Sequence, residues 1–304
     1  MKKTVVILMG GISREREISI LSGKACARAL RKKKYKVKVL DPKGNFINEI
    51  RKIKPKIVFN ALHGRFGEDG YIQSILESEK INYTHSGVLA SSIAMDKEIS
   101  KKIFINKKIN TPKFFVYNYN DSLNIHTLIK KSKINFPIVI KPINEGSSIG
   151  VYICTKKNLN KNLEKLRKYN RILVEKYIPG REIQVAVMNN KALGAIELKP
   201  KRKFYDYYAK YSSKAKTKHI MPAPLESKKY KEVLRIARKA HLSLGCKGIT
   251  RSDFRYYHDK FFLLEVNTQP GMTNLSLVPE IAAYKGIKFE NLVGWMVKDA
   301  GYDR

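Results

Sequence analysis

The 304-residue chain predicts an α/β fold, with a parallel sheet in a first domain and a mixed α+β arrangement after it. Three observations predict it. Up to about residue 93, short apolar runs alternate with helix-period segments, the βαβ rhythm of a parallel sheet. Beyond that point two hairpins are legible, around Asn189-Asn190 and around His258-Asp259. The composition, 43% hydrophobic and 29% charged, is ordinary for a globular chain and supplies a sizeable core. The length suggests about two domains or a few tightly packed ones.

Residues 4–9 are apolar and end at Gly10-Gly11, a buried strand entering a tight turn. A helix follows over residues 19–32. Tyr35, Val37 and Val39 alternate with Lys36 and Lys38 and form a second strand. Residues 57–61 are the third, and residues 70–79 the helix after it. In the next unit residues 97–105 are helical, Pro112 opens a strand through Val116, and residues 136–142 form a strand delivering Lys141 at its end. Residues 171–177 give another strand, punctuated by Pro179-Gly180. Residues 201–221, rich in lysine and tyrosine, show no clear period. Tyr230, Val233, Leu234, Ala237, Ala240 and Leu244 mark one helical face, with Gly245 beyond its end.

Three scattered cysteines, Cys26, Cys154 and Cys246, make neither a disulfide framework nor a zinc site, and fit a reducing cytoplasm. The apolar run after Met1-Lys2-Lys3 is too short for a signal peptide, and no stretch approaches a membrane span. The net charge of +35 suggests acidic partners, nucleic acid or membrane. The lysines, however, are spread over nearly every segment. The one dense run, Arg31-Lys32-Lys33-Lys34, sits at a helix end where cations are favourable. A lysine-heavy solvated surface is therefore the preferred reading, with no specific nucleic-acid site.

The chemistry concentrates near the C-terminal hairpin. In an extended strand alternate residues share a face, so Glu265 and Asn267 point together while Leu264 and Val266 point into a core. A turn centred near residue 259 places Asp253 opposite Glu265 and Arg251 opposite Asn267. Two carboxylates and an amide oxygen then converge beside a guanidinium, a hard-oxygen set suited to Mg²⁺. The same pattern also describes an edge hairpin with a solvated charged face. Residues 144–150, Asn-Glu-Gly-Ser-Ser-Ile-Gly, read alone as a hairpin turn. Lys141 just before them changes that weighing, because a lysine ending an apolar strand needs a partner, and small residues let backbone N–H groups approach an anion. This is not a P-loop. Glu15 follows the Gly10-Gly11 turn near a helix start, where it either complements the helix dipole or binds an ammonium. His63 lies in a second Gly-rich turn, where a lone histidine is usually structural.

Taken in order, Gly10-Gly11 with Ser13 and Glu15-Arg16-Glu17, Leu62-His63-Gly64, Met95-Asp96-Lys97, Lys141 with Glu145-Gly146-Ser147-Ser148, Glu175-Lys176 with Gly180 and Glu182, Tyr205-Asp206-Tyr207 with Lys210-Tyr211, Arg251 with Asp253, and Glu265 to Met272 resemble the D-alanine–D-alanine ligases of the ATP-grasp superfamily. The likeness runs through Ser276-Leu277-Val278-Pro279 and covers essentially the whole chain. Its specificity lies in the shared order of the motifs. It implies a Rossmann-like N-terminal domain (1–93) followed by two ATP-grasp subdomains (94–180 and 181–304), with a lid loop at about 201–221.

The resemblance also implies residue roles. Lys97 and Lys141 resemble phosphate-binding lysines, with Glu145, Ser148 and Lys210 also at the ATP site. Glu175, Lys176 and Glu182 resemble adenine and ribose contacts. Asp253, Glu265 and Asn267 match ligands of two Mg²⁺ (or Mn²⁺) ions. Glu15 would hold the ammonium of the first D-alanine in a set with Ser147 and Tyr211, and His63 would lie near that substrate. Arg251 and the Gly271 N–H would stabilise an oxyanion. Ser276 and Leu277 would bind the second D-alanine. Tyrosine at 211 implies a dipeptide rather than a D-lactate ester. The implied protein is a cytoplasmic homodimeric enzyme making a peptidoglycan precursor. Another carboxylate–amine ligase of the superfamily and a basic nucleic-acid-binding protein are the competing readings. The acidic set at 253 and 265 opposes the last, since carboxylates repel phosphate unless metal intervenes.

Overall fold

Val5, Val6, Ile7 and Leu8 are fully buried because strand β1 (Thr4–Leu8) lies inside a parallel sheet covered on both faces. A computed structural model describes residues 4–200 and 217–304. The first sheet has the order β2-β1-β3-β4, with β2 at Lys36–Leu40, β3 at Ile57–Asn60 and β4 at Asn82–Tyr83. Helices α1 (Arg16–Lys32), α2 (Phe46–Ile53) and α3 (Tyr71–Ser78) make the crossovers. Phe46, Ile50, Ile72 and Leu76 cover the Val6–Leu8 face, and Cys26 and Leu30 of α1 cover Val5 and Ile7.

Helices α4 (Val88–Met95) and α5 (Lys97–Asn106) lead out of this sheet. The second sheet is antiparallel, order β5-β8-β6-β7, from β5 (Phe114–Asn118), β6 (Ile138–Pro142), β7 (Tyr152–Cys154) and β8 (Arg171–Lys176). Helices α6 (Ile125–Lys131) and α7 (Leu159–Leu166) close its core. The third is also antiparallel, order β11-β10-β9-β12-β13. Its strands are β9 (Arg181–Met188), β10 (Lys191–Lys199), β11 (Lys218–Ile220), β12 (Ile249–Tyr257) and β13 (Lys260–Asn267). Phe104 of α5 and the apolar face of α8 (Ser227–Ser243) pack on one side of it. Helix α9 (Leu277–Tyr284) packs on the other, and α10 (Phe289–Asp299) joins α9 to the first sheet through Leu292 and Met296. No helix among the described residues is long and apolar enough to cross a membrane.

The β12–β13 hairpin has the expected pairing, Arg251 with Asn267 and Asp253 with Glu265, for a reason the sequence did not show. The turn is only His258-Asp259, both with positive φ (44° and 55°), the tight form that suits strand twist. From Tyr257–Lys260 to Phe254–Leu263 the ladder is regular, and then Leu264 is an extra residue. This bulge restores the register that brings the acidic residues together. It also corrects one expectation. Leu263 and Val266 enter the core, whereas Leu264 lines a cavity beside Glu265.

Two further expectations change. Helix α1 starts at Arg16 rather than residue 19, and the segment at 218–220 is an edge strand against β10. Three residues are too short to show a period. Residues 201–216, with Lys210, Tyr211 and most of the expected lid, lie outside the described residues.

Candidate active site

The second and third sheets face one another across a cavity lined by Val139 and Lys141 of β6, Glu182 of β9, Asp253 and Arg255 of β12, and Leu264 and Glu265 of β13. Lys97, Glu145, Ser148 and the stretch from Glu175 to Ile178 complete its wall. Apolar residues supply flat walls and a few lysines the charge, the usual make-up of a small-molecule site. Lys97 opens α5, where the Asp96 carboxylate caps the helix by accepting the Ile99 N–H at 2.9 Å. Its amine donates to the Glu145 carbonyl at 2.5 Å and lies 3.5 Å from Glu265. Burial pushes its pKa down, and Glu265 opposes that shift only in part.

Lys141 donates to Glu175 Oε1 at 2.6 Å. Glu175 is 3% exposed and also meets Lys101 at 2.9 Å. Burial alone would raise its pKa; Lys101 and Lys141 more than offset that and leave it below the ordinary value. Glu182, expected at the ribose, lies 3.4 Å from Arg255 Nη1. Arg255 itself donates to the Ile178 and Gly180 carbonyls and so holds the turn after β8.

A second cavity adjoins the first. Glu15, His63, Glu68, Gly146, Ser147, Arg251, Asn267 and Gly271 line it, and Lys97, Glu145 and Glu265 line both cavities. The loop between β6 and β7 reaches both, with Ser147 on one and Ser148 on the other. Both serines hold left-handed backbones (φ 50° and 60°), a strained geometry that needs a surrounding reason. Ser147 Oγ donates to Glu15 Oε1. Glu15 is buried at the start of α1, and its backbone N–H is held by Ser13 Oγ at 3.1 Å. The same Ser13 hydroxyl donates to the His63 carbonyl at 2.6 Å. His63 is buried, with Nε2 3.0 Å from Ser22 Oγ and Nδ1 3.2 Å from Glu68 Oε1. Ser22 in turn accepts the Met272 N–H at 3.2 Å, tying α1 to the segment that carries Gly271.

Gly64 gives the site a sharp test. Its φ is +73°, and a Cβ there would lie 2.8 Å from Glu15 Oε2. Gly64→Ala is expected to destabilise the protein by about 1–2 kcal/mol through its backbone conformation. Displacing Glu15 should raise KM roughly tenfold for a substrate held in the second cavity by the Glu15 carboxylate. Urea unfolding and steady-state kinetics read the two effects. A KM within twofold of the parent would remove Glu15 from substrate binding.

Asp253 and Glu265 face each other across the hairpin with Asn267 two residues further on the same face. Both carboxylates already hold cations: Arg251 forks onto Asp253 at 2.7 and 2.9 Å, and Lys97 sits near Glu265. Hard oxygen donors on one face, at the junction of two cavities, fit a divalent cation that also touches phosphate. Asn267 Oδ1 accepts the Gln269 N–H at 2.8 Å, which fixes the amide's orientation.

The remaining expected residues sit at the margins of these cavities. Lys176 is exposed at the mouth of the first cavity. Ser276 lies beside Gly271, where a Cβ on the glycine would come within 2.8 Å of its Oγ. Its hydroxyl is engaged with Thr273 at 2.9 Å. The Leu277 side chain is a core residue, so only its backbone N–H at the start of α9 can meet a substrate carboxylate. Sequence reasoning missed Lys101, Glu68, Ser22 and Arg255. Lys101 was findable, because four residues after Lys97 on a helix share its face. Glu68 and Ser22 meet His63 only through the fold.

The comparisons with known proteins agree with this geometry. The family described as "D-ala D-ala ligase C-terminus" matches residues 103–298. The D-alanine–D-alanine ligase of Pelagibacter ubique is 61% identical over 305 residues, covering 100% of both chains. That of Wolbachia pipientis wMel is 47% identical, covering 98% of this chain and 94% of its own. A crystal structure of the Bacillus anthracis enzyme complexed with ATP superposes with a TM-score of 0.86 at 30% identity, covering 98% of this chain and 97% of that one. With its three sheets, paired cavities and near-full-length likeness to these relatives, the chain belongs to the D-alanine–D-alanine ligase family of the ATP-grasp superfamily.

Proposed function

We propose that the protein joins two D-alanines into D-alanyl-D-alanine with conversion of ATP to ADP and phosphate, supplying a peptidoglycan precursor. The observation that carries this reading is the shared wall of Lys97, Glu145 and Glu265 between two adjoining cavities. A nucleotide in the first can present its γ-phosphate to a carboxylate in the second. The chain reads as three units, 1–93, 94–180 and 181–304, and each of the three sheets lies wholly within one of them.

In the first step a carboxylate oxygen of D-alanine bonds to the γ-phosphorus and ADP leaves, giving D-alanyl phosphate. Lys97 and Lys141 neutralise phosphate charge and hold the γ-phosphoryl group in line. Glu175 and Glu182, with Lys176 at the mouth, hold the base and sugar end, and Glu145 and Ser148 border the phosphates. Two Mg²⁺ (or Mn²⁺) ions held by Asp253, Glu265 and Asn267 would neutralise the remaining charge on the transferring group. Glu15 binds the first ammonium, with Ser147 fixing the carboxylate and His63 beside it.

In the second step the free amine of the other D-alanine forms the C–N bond at the acyl carbon, the acyl C–O bond to phosphate breaks, and the proton lost by the amine leaves with the phosphate. Arg251 and the Gly271 N–H face the tetrahedral oxyanion. Ser276 and the Leu277 N–H meet the second carboxylate. Tyr211 and Lys210, assigned by likeness to the family, belong to the acceptor and nucleotide ends. A cytoplasmic homodimer without a specific nucleic-acid partner completes the reading.

ADP release with a panel of D-amino acids and D-lactate, each product identified by mass, tests it. Expected is ATP-dependent D-alanyl-D-alanine as the main product. Another amide, a dominant ester with D-lactate, or no ATP turnover would overturn the assignment.

A further inference from the structure

Lys101 carries a fully buried amine next to the nucleotide cavity but outside its lining. Lys97 and Lys101 are one helical turn apart on α5 and face the same way. Lys97 lines both cavities, whereas Lys101 is 0% exposed and lines neither. Its amine contacts Thr111 Oγ1 at 2.5 Å and Glu175 Oε2 at 2.9 Å, and sits 5.5 Å from the centre of the Phe114 ring. The other Glu175 oxygen holds Lys141. One buried carboxylate is thus shared between two buried ammonium groups, one hidden and one facing the nucleotide.

A full charge removed from water is costly unless it is paired, and a buried ion left without its partner is strongly destabilising. With Lys101 charged, the Lys101–Glu175–Lys141 cluster carries one net positive charge. That surplus sits at Lys141, the member that lines the cavity with Lys97. Without Lys101, Glu175 would neutralise Lys141 and draw its amine down onto itself.

We propose that Lys101 is a positioning residue for the nucleotide: by taking half of Glu175 it leaves the Lys141 ammonium aimed at, and electrostatically available to, the ATP phosphates. The inference rests on the ligase reading for the identity of the anion. Burial lowers the Lys101 pKa to about 8, against the pull of Glu175. The other charges that face it are Lys141 of β6 and Glu265 of β13. Lys101 is therefore charged below about pH 8 and loses its charge as the pH rises through that value. MgATP affinity should fall over the same range.

The test is calorimetric binding of MgATP to the full chain, with steady-state kinetics alongside. Lys101→Met should weaken MgATP binding about tenfold at neutral pH, a 1.4 kcal/mol change. KM for D-alanine should move less than about twofold. Lys101→Arg, which keeps a positive charge beside Glu175, should bind MgATP to within about threefold of the parent. A lysine that only fills space predicts the opposite order, because methionine matches its bulk more closely than arginine does. Binding in Lys101→Arg as weak as in Lys101→Met, or a Lys101→Met variant that binds MgATP as the parent does, overturns the proposal. If Lys101→Met does not fold, Lys101→Gln, a neutral side chain that can still donate to Thr111 and Glu175, takes its place with the same expected and overturning results. Formation of D-alanyl-D-alanine by the parent tests the functional reading separately, so failure of one is distinguishable from failure of the other.

Discussion

Glu265→Gln is expected to lower kcat by at least about a thousandfold, roughly 4 kcal/mol of transition-state stabilisation, while the protein stays folded. The residue stands in both cavities, across the hairpin from Asp253 and 3.5 Å from Lys97. An amide keeps its shape and size but removes the charge that draws a divalent cation to this wall. It also leaves the buried Lys97 amine without the carboxylate that opposes its desolvation. Because Lys97 is buried and loses this partner, the thermal midpoint should fall by a few degrees with the native fold retained. Single-turnover formation of ADP over a range of Mg²⁺ concentrations checks this. Near-normal turnover at saturating Mg²⁺ with an unchanged circular-dichroism spectrum would falsify the metal assignment.

Arg251→Met is expected to cost about 10²–10³ in kcat, the loss typical of removing an oxyanion donor. Arg251 is aimed by a two-pronged contact with Asp253, two residues along the same strand and face. The fork holds a flexible side chain in one orientation, with the guanidinium lining the second cavity beside Gly271. Methionine keeps most of the stem and removes every donor. KM for ATP should change far less than kcat if the missing group acts at the acyl centre, as proposed, because Arg251 lines the second cavity and not the first. Rapid-quench measurement of both half-reactions separates the steps. A kcat within tenfold of the parent, or a loss confined to ATP binding, would sink the oxyanion role.

Much of the site is legible in the sequence, because several of its parts are local. Alternation along a strand alone places Glu265 and Asn267 on one face. Hairpin pairing adds Asp253 and Arg251, and the structure bears this register out. The bulge at Leu264 was not legible. A bulge changes no residue type and leaves only a shift in which side chains find the core, here Leu263 in place of Leu264. Lys141 announced itself as a charge ending an apolar strand, but its partner Glu175 lies on β8 and could be joined to it only by sheet pairing.

The sequence by itself determined the fold class, most strands, the order of the motifs and hence the family. These depend on the period of apolar residues and on short-range spacing, which a linear chain records directly. The tertiary structure alone decided which charges share a partner. Glu15 meets Ser147 across 132 residues, and Met272 meets Ser22 across 250. Neither contact has a sequence signature, because each requires two separate sheets to be packed against one another first. Lys101 is a mixed case: its spacing from Lys97 is written in the sequence, but its burial and its pairing with Glu175 are not. Only the packing of α5 between the second and third sheets removes it from water and turns an ordinary cation into a group that must be balanced.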